Sequence, residues 1–299
     1  MDILSIKNLT KSFGDKQVLQ GLDLTVPEHS IFGFVGKNGA GKTTTMKAIL
    51  GLLKLDGGEI YVAGERVAFG QAPTNRHIGY LPDVPEFYPF MTAREYLTLC
   101  GESLNMTKED IKSRADELLT LVGLADETHR IKGYSRGMKQ RLGIAQALFA
   151  RPKLLICDEP TSALDPIGRK EILDILYSVR EQTTVLFSTH ILSDVERICT
   201  QVALLNNGKI AMLGTVDELK RITASEQFVI ELMDNERASV LIESFPDAQI
   251  DKNGAIILKG TEDRLFKAID LIRQNNLPLR KIERFGATLE SVFMEVVEK

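Results

Sequence analysis

Residues 36–44 read GKNGAGKTT, and their types and spacing suit the binding of a phosphate tail. Gly36, Gly41, Lys42 and Thr43 match the pattern G-x-x-x-x-G-K-[ST] of a phosphate-binding loop, or P-loop. Glycines let main-chain N–H groups turn towards phosphate oxygens, because no Cβ stands in the way. Lys42 would contact the β- and γ-phosphates, and the Thr43 hydroxyl would be a ligand of Mg²⁺. The sequence therefore predicts nucleotide binding at this loop.

A second pair of candidate residues, Asp158 and Glu159, follows the apolar run at 154–157. At the end of a buried strand, Asp158 would hold Mg²⁺ directly or through water, and Glu159 would accept a proton from an attacking water. Adjacent acids at a solvated strand end are the structural alternative. In a chain that also has a P-loop, the nucleotide-site interpretation is favoured.

These residues need strands and helices that bring them to one place. The apolar run at 30–35 predicts a strand that leads into the loop, and a helix is predicted from Lys42 onward. Buried strands are also predicted at 153–160 and 184–190, and the latter ends in His190. Near-continuous apolar strands that alternate with helices indicate an α/β fold, with a mostly parallel sheet covered on both faces.

The segment before the loop contains an aromatic residue with two interpretations. Strands are predicted at 2–8 and 18–26, separated by a turn around Gly14 and Asp15. Phe13 precedes that turn, as a core aromatic or as a platform for a base. Its sequence context alone favours the core.

Between the P-loop and the acidic pair lies a loop that is predicted to lack regular structure, because three prolines interrupt it: Pro82, Pro85 and Pro89. Thr92 and Glu95 then form a capping-box pattern that predicts a helix start. The loop also has four large apolar residues, either packed in a local core or exposed as a docking surface: Phe87, Tyr88, Phe90 and Met91.

Other elements follow from cap residues and turn signals. Helices are predicted at 107–124, 134–150 and 168–182, and Ser135 would cap the second of them. A hairpin is predicted at 59–67, with its turn at Gly64-Glu65.

The composition of the 299-residue chain limits the classes of protein to which it can belong. A hydrophobic share of 43% and a charged share of 26% are typical of a soluble globular protein. The net charge of −4 argues against nucleic acid as a partner, since a phosphate backbone attracts a basic surface. The separated Cys100, Cys157 and Cys199 suit a reducing compartment. The first residues do not have the pattern of a signal peptide, and no apolar run reaches the ~18–20 residues that span a bilayer. We therefore expect neither a signal peptide nor a transmembrane helix.

After residue 222 the composition changes, which predicts two domains at 1–222 and 223–299. In the second, the predicted order β-α-β-β-α-β-α fits a small α+β unit of the split β-α-β kind. No cluster of titratable residues there suggests catalysis, so an accessory role is predicted. Its predicted segments are strands at 226–233 and 279–285, a hairpin at 248–260 over Asn253-Gly254, and helices at 235–244, 262–275 and 288–298.

Taken together, the motifs resemble those of an ATP-binding cassette (ABC) ATPase, the nucleotide-binding subunit of ABC transporters. YSRGM (134–138) stands where the family has its LSGGQ signature, SALD (162–165) stands at its D-loop, and His190 at its switch histidine. The resemblance covers 1–222 nearly end to end. It implies a P-loop NTPase fold with a mostly parallel core sheet, an N-terminal antiparallel β subdomain and a helical subdomain that carries the signature.

The resemblance also implies a role for each matching residue. Lys42, Glu159 and His190 would act in catalysis, Glu159 as the base and His190 as a hydrogen-bond donor to the γ-phosphate. Mg²⁺ would be held by Thr43, Asp158 and Asp83. Ser135 and Gly137 would contact the ATP of a second copy, so that a homodimer encloses two ATPs. The remaining ATP-binding residues would be Phe13, stacked on adenine, with Val18, Gly36, Asn38, Gly39, Gly41, Lys42, Thr43 and Thr44.

Two positions depart from the family pattern. Arg136 stands in the signature where the family has glycine, and it adds positive charge near the phosphate. Asp83 fills the position of the family's Q-loop glutamine. Being shorter and charged, it would reach Mg²⁺ through water, or the coupling would rely on the backbone of the loop. The residues from Asp83 to Met91 lie where the family receives its membrane partner, which favours the docking interpretation of this loop.

As a whole, the resemblance implies the ATPase subunit of an ABC exporter, with a separate transmembrane permease as its partner. The protein would then be cytoplasmic and peripheral at the inner face of the cell membrane. Export is implied by the C-terminal segment, since cassettes for drugs, peptide antibiotics, sodium or polysaccharide have a similar α+β tail ending like TLESVFMEVVE. The alternative is a soluble ABC ATPase acting on ribosomes, DNA or cofactor assembly. A single P-loop and the short segment between Thr44 and Ser135 argue against it.

Overall fold

The chain divides into two compact units, Met1–Val216 and Asp217–Lys299, and each is described by itself. The predicted domain boundary after residue 222 stays a prediction, because the helix Val216–Ile222 lies across this division. The computed structural model describes residues 2–70, 73–222, 227–234, 239–251, 254–285, 289–290 and 292–293.

The first unit contains ten strands and the greater part of the helices that the structure describes. Its strands are β1 (Asp2–Phe13), β2 (Lys16–Pro27), β3 (Ile31–Gly36), β4 (Gly57–Val62), β5 (Glu65–Arg66), β6 (Ile78–Leu81), β7 (Leu154–Asp158), β8 (Thr184–Thr189), β9 (Gln201–Asn206) and β10 (Lys209–Thr215). Its helices, with the one across the division, are α1 (Lys42–Ile49), α2 (Ala93–Ser103), α3 (Lys108–Leu121), α4 (Arg136–Leu148), α5 (Pro166–Ser178), α6 (Leu192–Ile198) and α7 (Val216–Ile222). Across the described parts of the chain, no helix is both long and apolar enough to cross a bilayer.

Two sheets form the body of this unit. A six-stranded sheet has the order β10-β9-β3-β8-β7-β6, parallel except for the β9–β10 pair, and a four-stranded antiparallel sheet has the order β2-β1-β4-β5. Apolar residues of both sheets and of α1 share one buried core, with Leu4 and Leu22 from one sheet, Phe34 from the other and Met46 from α1. The predicted α/β fold is confirmed, with an antiparallel sheet at the N-terminal side.

The parallel strands bring the candidate residues to one edge of the six-stranded sheet. Residues of β3, β7 and β8 are buried throughout, as expected for strands covered on both faces. In register, Val35 pairs with Thr189 and Asp158 pairs with Ser188. The carboxyl ends of these strands therefore lie together, and the P-loop, the acidic pair and His190 emerge beside one another.

Side-chain caps mark the start of α2, α3, α4 and α5. The predicted capping box is present, since the Thr92 hydroxyl accepts from the Glu95 N–H and the Glu95 carboxylate accepts from the Thr92 N–H. Ser135 caps α4 as predicted. The loop before α2 lacks regular structure as predicted, apart from a single bridge between Thr92 and Arg130.

Two predicted boundaries are wrong for local reasons. The helix predicted at 168–182 is α5, which starts two residues earlier because the Asp165 carboxylate caps it by accepting from the Gly168 N–H. The turn predicted at Gly64-Glu65 lies at Ala63-Gly64, where both residues have positive φ values, of 51° and 79°. Two positive φ values in succession are those of the tight hairpin turn that matches strand twist.

The second unit folds as a small antiparallel sheet with two helices. Its sheet order is β12-β13-β11-β14, and the sequence of elements β-α-β-β-α-β is that of a split β-α-β unit. Phe228, Ile230 and Leu258 of the sheet share an apolar core with Leu241 and Ile272 of the helices. The elements are β11 (Gln227–Leu232), α8 (Ser239–Ser244), β12 (Gln249–Ile250), β13 (Ile256–Lys259), α9 (Glu262–Gln274) and β14 (Leu279–Phe285).

Parts of the predictions for this unit lie outside the described residues. They are residues 235–238 of the first predicted helix, Asn253 of the predicted turn, and most of the predicted helix 288–298, of which 289–290 and 292–293 are described and helical.

Candidate functional site

The phosphate-binding loop follows β3 and leads into α1. Gly41 is the N-cap of α1 with a φ of 114°, a left-handed value that favours glycine, and a Cβ there would lie 2.7 Å from Leu19 Cδ2. Lys42 is buried, and its Nζ donates a hydrogen bond of 2.7 Å to the carbonyl oxygen of Gly36. The left-handed backbone favours the glycine. The hydrogen bond to Gly36 holds the Lys42 ammonium where an anionic phosphate at the helix N-terminus would meet it.

Asp158, at the end of β7, is 4% exposed and accepts hydrogen bonds from two hydroxyl groups. Thr43 Oγ1 donates to Oδ2 at 2.8 Å, and Ser188 Oγ donates to Oδ1 at 2.6 Å. Carboxylate and hydroxyl oxygens are the ligands that Mg²⁺ prefers, so this set of side chains fits that ion. Ser188 was not among the predicted site residues; the available signal was its position, two residues before His190 in a buried strand.

Glu159 lies between Lys42 and His190. Its Oε1 is 3.1 Å from Lys42 Nζ, an ion pair outside hydrogen-bond geometry, and its Oε2 is 2.8 Å from His190 Nδ1. Glu159 has a φ of 49°, a left-handed value that costs a non-glycine residue roughly 1–2 kcal/mol. Its N–H donates to Ser188 Oγ at 3.0 Å, which helps to hold this conformation. A phosphate bound to Lys42 would therefore compete with the Glu159 carboxylate, which would keep His190 as its partner.

A cleft of about 400 Å³ lies beside the loop and brings most of the predicted nucleotide-binding residues together. Phe13 is 51% exposed in this cleft, so the interpretation as a core aromatic is wrong, and the ring is accessible for stacking on a base. Lys16, just after the predicted turn, also lines the cleft and was not predicted. The lining residues are Phe13, Lys16, Val18, Asn38, Gly39, Gly41, Lys42, Thr43, Thr44, Asp83, Asp158 and Glu159.

Comparison with known proteins identifies the family. A family model described as ABC transporter matches residues 19–162. The chain is 38% identical to the uncharacterized ABC transporter ATP-binding protein YxlF of Bacillus subtilis (strain 168), over 99% of each chain. It is 36% identical to the bacitracin transport ATP-binding protein BcrA of Bacillus licheniformis, over 99% of this chain and 97% of that one. This chain belongs to the ABC transporter ATP-binding proteins.

A solved structure agrees with this assignment. The structure of an ATP-binding subunit of an ABC transporter has a TM-score of 0.65 and 32% identity, and the match covers 74% of this chain and 92% of that one. The nucleotide of the family is ATP, and the chain is an ABC ATPase subunit of a transporter. The alternative of a cassette outside transport is not favoured.

The signature residues of this ABC ATPase do not line the cleft. Ser135 Oγ accepts a hydrogen bond of 3.2 Å from the Met138 N–H at the start of α4. At Gly137 a Cβ would find its nearest neighbour, Leu164 Cδ2, at 3.9 Å, so within this chain a methyl group there would fit without a clash. Within the described residues, one copy of the chain brings together the loop, the acids and the histidine, but not Ser135 or Gly137.

The two departures from the family pattern contact each other. Arg136 Nη2 lies 3.5 Å from Asp83 Oδ1, and Gln140 Nε2 donates to the Asp83 carbonyl oxygen at 3.4 Å. Partial burial raises the pKa of the Asp83 carboxyl above its ordinary value, and the positive charge of Arg136 partly offsets this rise. Asp83 therefore belongs both to the cleft and to the surroundings of α4.

The loop after Asp83 is only partly packed against the helices. The Phe87 ring meets the ring of Tyr96 edge-on, with centroids 5.0 Å apart. Val84, Tyr88 and Phe90 are each more than half exposed. The local-core interpretation thus holds for Phe87, and the exposed side chains form an apolar surface, here called the loop surface.

Proposed function

We propose that this chain is the ATPase subunit of an ABC exporter and that it hydrolyses ATP with Mg²⁺ as a homodimer. The observation that supports this most is the position of Glu159 between Lys42 and His190, beside the Thr43–Asp158 hydrogen bond. A cation, a carboxylate and an imidazole converge where a terminal phosphate would reach Lys42. That is the arrangement expected for attack by water on a phosphoryl group.

Thr43 and Asp158 would hold Mg²⁺, and Asp83 would approach it through water from the wall of the cleft. When bound, Mg²⁺ neutralises charge on the β- and γ-phosphates. Lys42 would bind the same phosphates and give up its contact with Glu159. The Glu159 carboxylate, still paired with Nδ1 of His190, would then accept the proton of the attacking water. The other ring nitrogen of His190 would donate a hydrogen bond to the γ-phosphate.

Ser135 and Gly137 would complete the site from a second copy. Their place at the N-terminus of α4 suits a γ-phosphate, since the first N–H groups of a helix carry partial positive charge. Because these residues do not line the cleft of their own chain, ATP bound between two copies would hold the copies together. Phe13 would stack on the adenine, and Val18, Asn38 and Thr44 would surround the nucleotide.

The partner in the membrane would be a separate permease that docks on the loop surface, within the segment from Asp83 to Met91. Three exposed apolar side chains on a proline-broken loop favour burial against a protein partner. The ATPase would then lie at the inner face of the cell membrane, in the cytoplasm. Export is supported by the match to BcrA, named for bacitracin transport, which extends over 99% of this chain and so includes the segment 223–299, proposed as the C-terminal accessory domain.

Replacing Glu159 by glutamine tests this proposal. In the full-length chain, Glu159→Gln should bind ATP normally, lose about 100- to 10,000-fold in turnover, and accumulate as an ATP-bound dimer. Phosphate release and light scattering after size exclusion measure the two effects. Glu181→Gln, at an exposed acid, serves as the control and should leave both unchanged. Unaltered turnover in Glu159→Gln would rule out the role of base.

A further inference from the structure

The start of the signature helix α4 holds Asp83 in two ways. The Arg136 guanidinium lies against the Asp83 carboxylate, and the Gln140 side chain donates to the Asp83 carbonyl oxygen. One turn further, a Cβ at Gly143 would lie 2.5 Å from Leu81 Cδ1, so the helix passes close to the chain that leads to Asp83. Residues 136, 140 and 143 share one face of the helix. Movement of Asp83 and movement of α4 are therefore linked.

The position of Arg136 at the start of α4 favours a negatively charged partner. It is the first residue of α4, and the first turn of this helix contains no acidic residue. The partial positive charge of a helix N-terminus disfavours a cation there. In this structure the Asp83 carboxylate is the anion that faces Arg136. If Asp83 moved away, another anion would be favoured in its place.

Asp83 in turn lies among other negative charges. It lines the ATP cleft together with Asp158 and Glu159. A cation in the cleft would attract the Asp83 carboxylate, and it would do so in competition with Arg136. The contact with Arg136 is long, at 3.5 Å, and its side chains are 46% and 47% exposed, so solvent weakens it. Such a contact is readily exchanged.

We propose that Asp83 holds the Arg136 guanidinium until ATP and Mg²⁺ fill the cleft, and then releases it to the phosphates of the ATP on a second copy. Binding at the chain's own cleft would thereby prepare its own α4 for the opposite site. This inference rests on the proposed function, because it requires the homodimer. It also accounts for the two departures from the family pattern as one pair of opposite charges.

ATP-driven dimerisation of the full-length chain tests the exchange. In the Glu159→Gln background, the midpoint is the concentration of ATP with Mg²⁺ at which half of the chain is dimeric by light scattering. Arg136→Ala should raise the midpoint by roughly tenfold, the worth of one hydrogen bond to a charged group. Asp83→Asn keeps an oxygen that can face Mg²⁺ but frees Arg136, and it should lower the midpoint by about two- to fivefold.

The double variant separates exchange from simple charge removal. With Arg136→Ala present, Asp83→Asn should change the midpoint by less than about twofold, since no arginine remains to be released. Arg136→Lys should recover most of the lost dimerisation. The melting temperature should stay unchanged in Arg136→Ala. The ATP affinity of the monomer with Mg²⁺ should rise by no more than about fivefold, because Asp83 no longer has to leave Arg136 to face the cation.

The ion pair of Arg94 and Asp116 provides a matched control, with both side chains 48% exposed. Arg94→Ala and Asp116→Asn should leave the midpoint unchanged. An equal shift from Asp83→Asn with and without Arg136 would overturn the proposal, as would an unchanged midpoint in Arg136→Ala. If Glu159→Gln alone never dimerises with ATP, the proposed function fails, and this inference fails with it.

Discussion

The P-loop side and the signature side of the site differ in how many of their polar groups find partners within one copy of the chain. On the P-loop side, Lys42 contacts Gly36 and Glu159, and Asp158 accepts from two hydroxyl groups. On the signature side, a Cβ at Gly137 would make only ordinary contacts, at 3.9 Å or more, and the helix begins with a cation rather than an acid. One side is organised by contacts within the chain, and the other is left open.

This difference indicates where the free energy of ATP binding is used. An organised side binds with little rearrangement, since its groups are already oriented by hydrogen bonds. An open side gains contacts only when an anion arrives from outside. ATP would therefore bind first at the P-loop and then draw in α4 of a second copy. Substitutions on the two sides should accordingly affect different steps.

Among the substitutions that compare the two sides, the largest effect is expected from Lys42→Ala, which removes the cation at the centre of the organised side. ATP hydrolysis by the full-length chain should fall roughly 100- to 1000-fold, because the phosphates lose their main positive partner. A coupled phosphate-release assay measures this rate. Lys47→Ala, at an exposed lysine in the last turn of the same helix, should keep the rate within about twofold. A mild defect in Lys42→Ala would mean that backbone N–H groups alone hold the phosphates.

Asp158→Asn should show the next effect, through the metal rather than the nucleotide. The amide is similar in shape to the carboxylate and can still accept from Ser188 or Thr43, but it lacks the charge that holds a divalent cation. The Mg²⁺ concentration for half-maximal hydrolysis should rise about 10- to 100-fold. Asp174→Asn, at an exposed ion pair of α5, is the control. An unchanged Mg²⁺ dependence would assign the metal to other oxygens.

Two glycine substitutions sharpen the comparison between the sides. Gly137→Ala adds a Cβ that meets no close neighbour within a helix, so the monomer should gain up to about 1 kcal/mol of stability. The same methyl group would obstruct the phosphate, and ATP-driven dimerisation should weaken roughly tenfold or more.

Gly41→Ala should behave in the opposite way. Its Cβ would lie 2.7 Å from Leu19 Cδ2 at a φ of 114°, so the monomer itself should lose stability. Urea unfolding measures the stability of the monomer, and light scattering measures its ATP-driven dimerisation. If Gly137→Ala also destabilised the monomer, the signature side would not be an open surface.

The sequence was sufficient to predict the organised side in large part. Glycine spacing and a lysine define a loop whose backbone has few alternatives, and strands with only apolar residues must be buried in a parallel sheet. Positions such as Ser188 and Lys16 were not predicted, because they contact the site through strand pairing and through a turn. Their residue types are common on any protein, and only register in space gives them a role.

Ion pairs between segments that are distant in the sequence could not be predicted either. Arg136 and Asp83 are each recognisable as departures from a motif, but nothing in the linear sequence joins them. Their contact arises because α4 packs against the carboxyl end of β6, close to Leu81. Exposure is the third property that sequence patterns predict poorly, and Phe13 is the example, since an aromatic residue at the end of a strand is more often buried.

Phe13→Ala tests that last point and should have the smallest effect on hydrolysis. Because the ring is 51% exposed, its removal should change the free energy of unfolding by less than about 1 kcal/mol. Stacking on a base is worth about 1–3 kcal/mol, and in an open cleft the lower end applies, so ATP affinity should fall about five- to tenfold. Phe13→Tyr should restore it. Calorimetric titration of the monomer with ATP measures the affinity. A large loss of stability with unchanged affinity would return Phe13 to the core and leave the adenine without its platform.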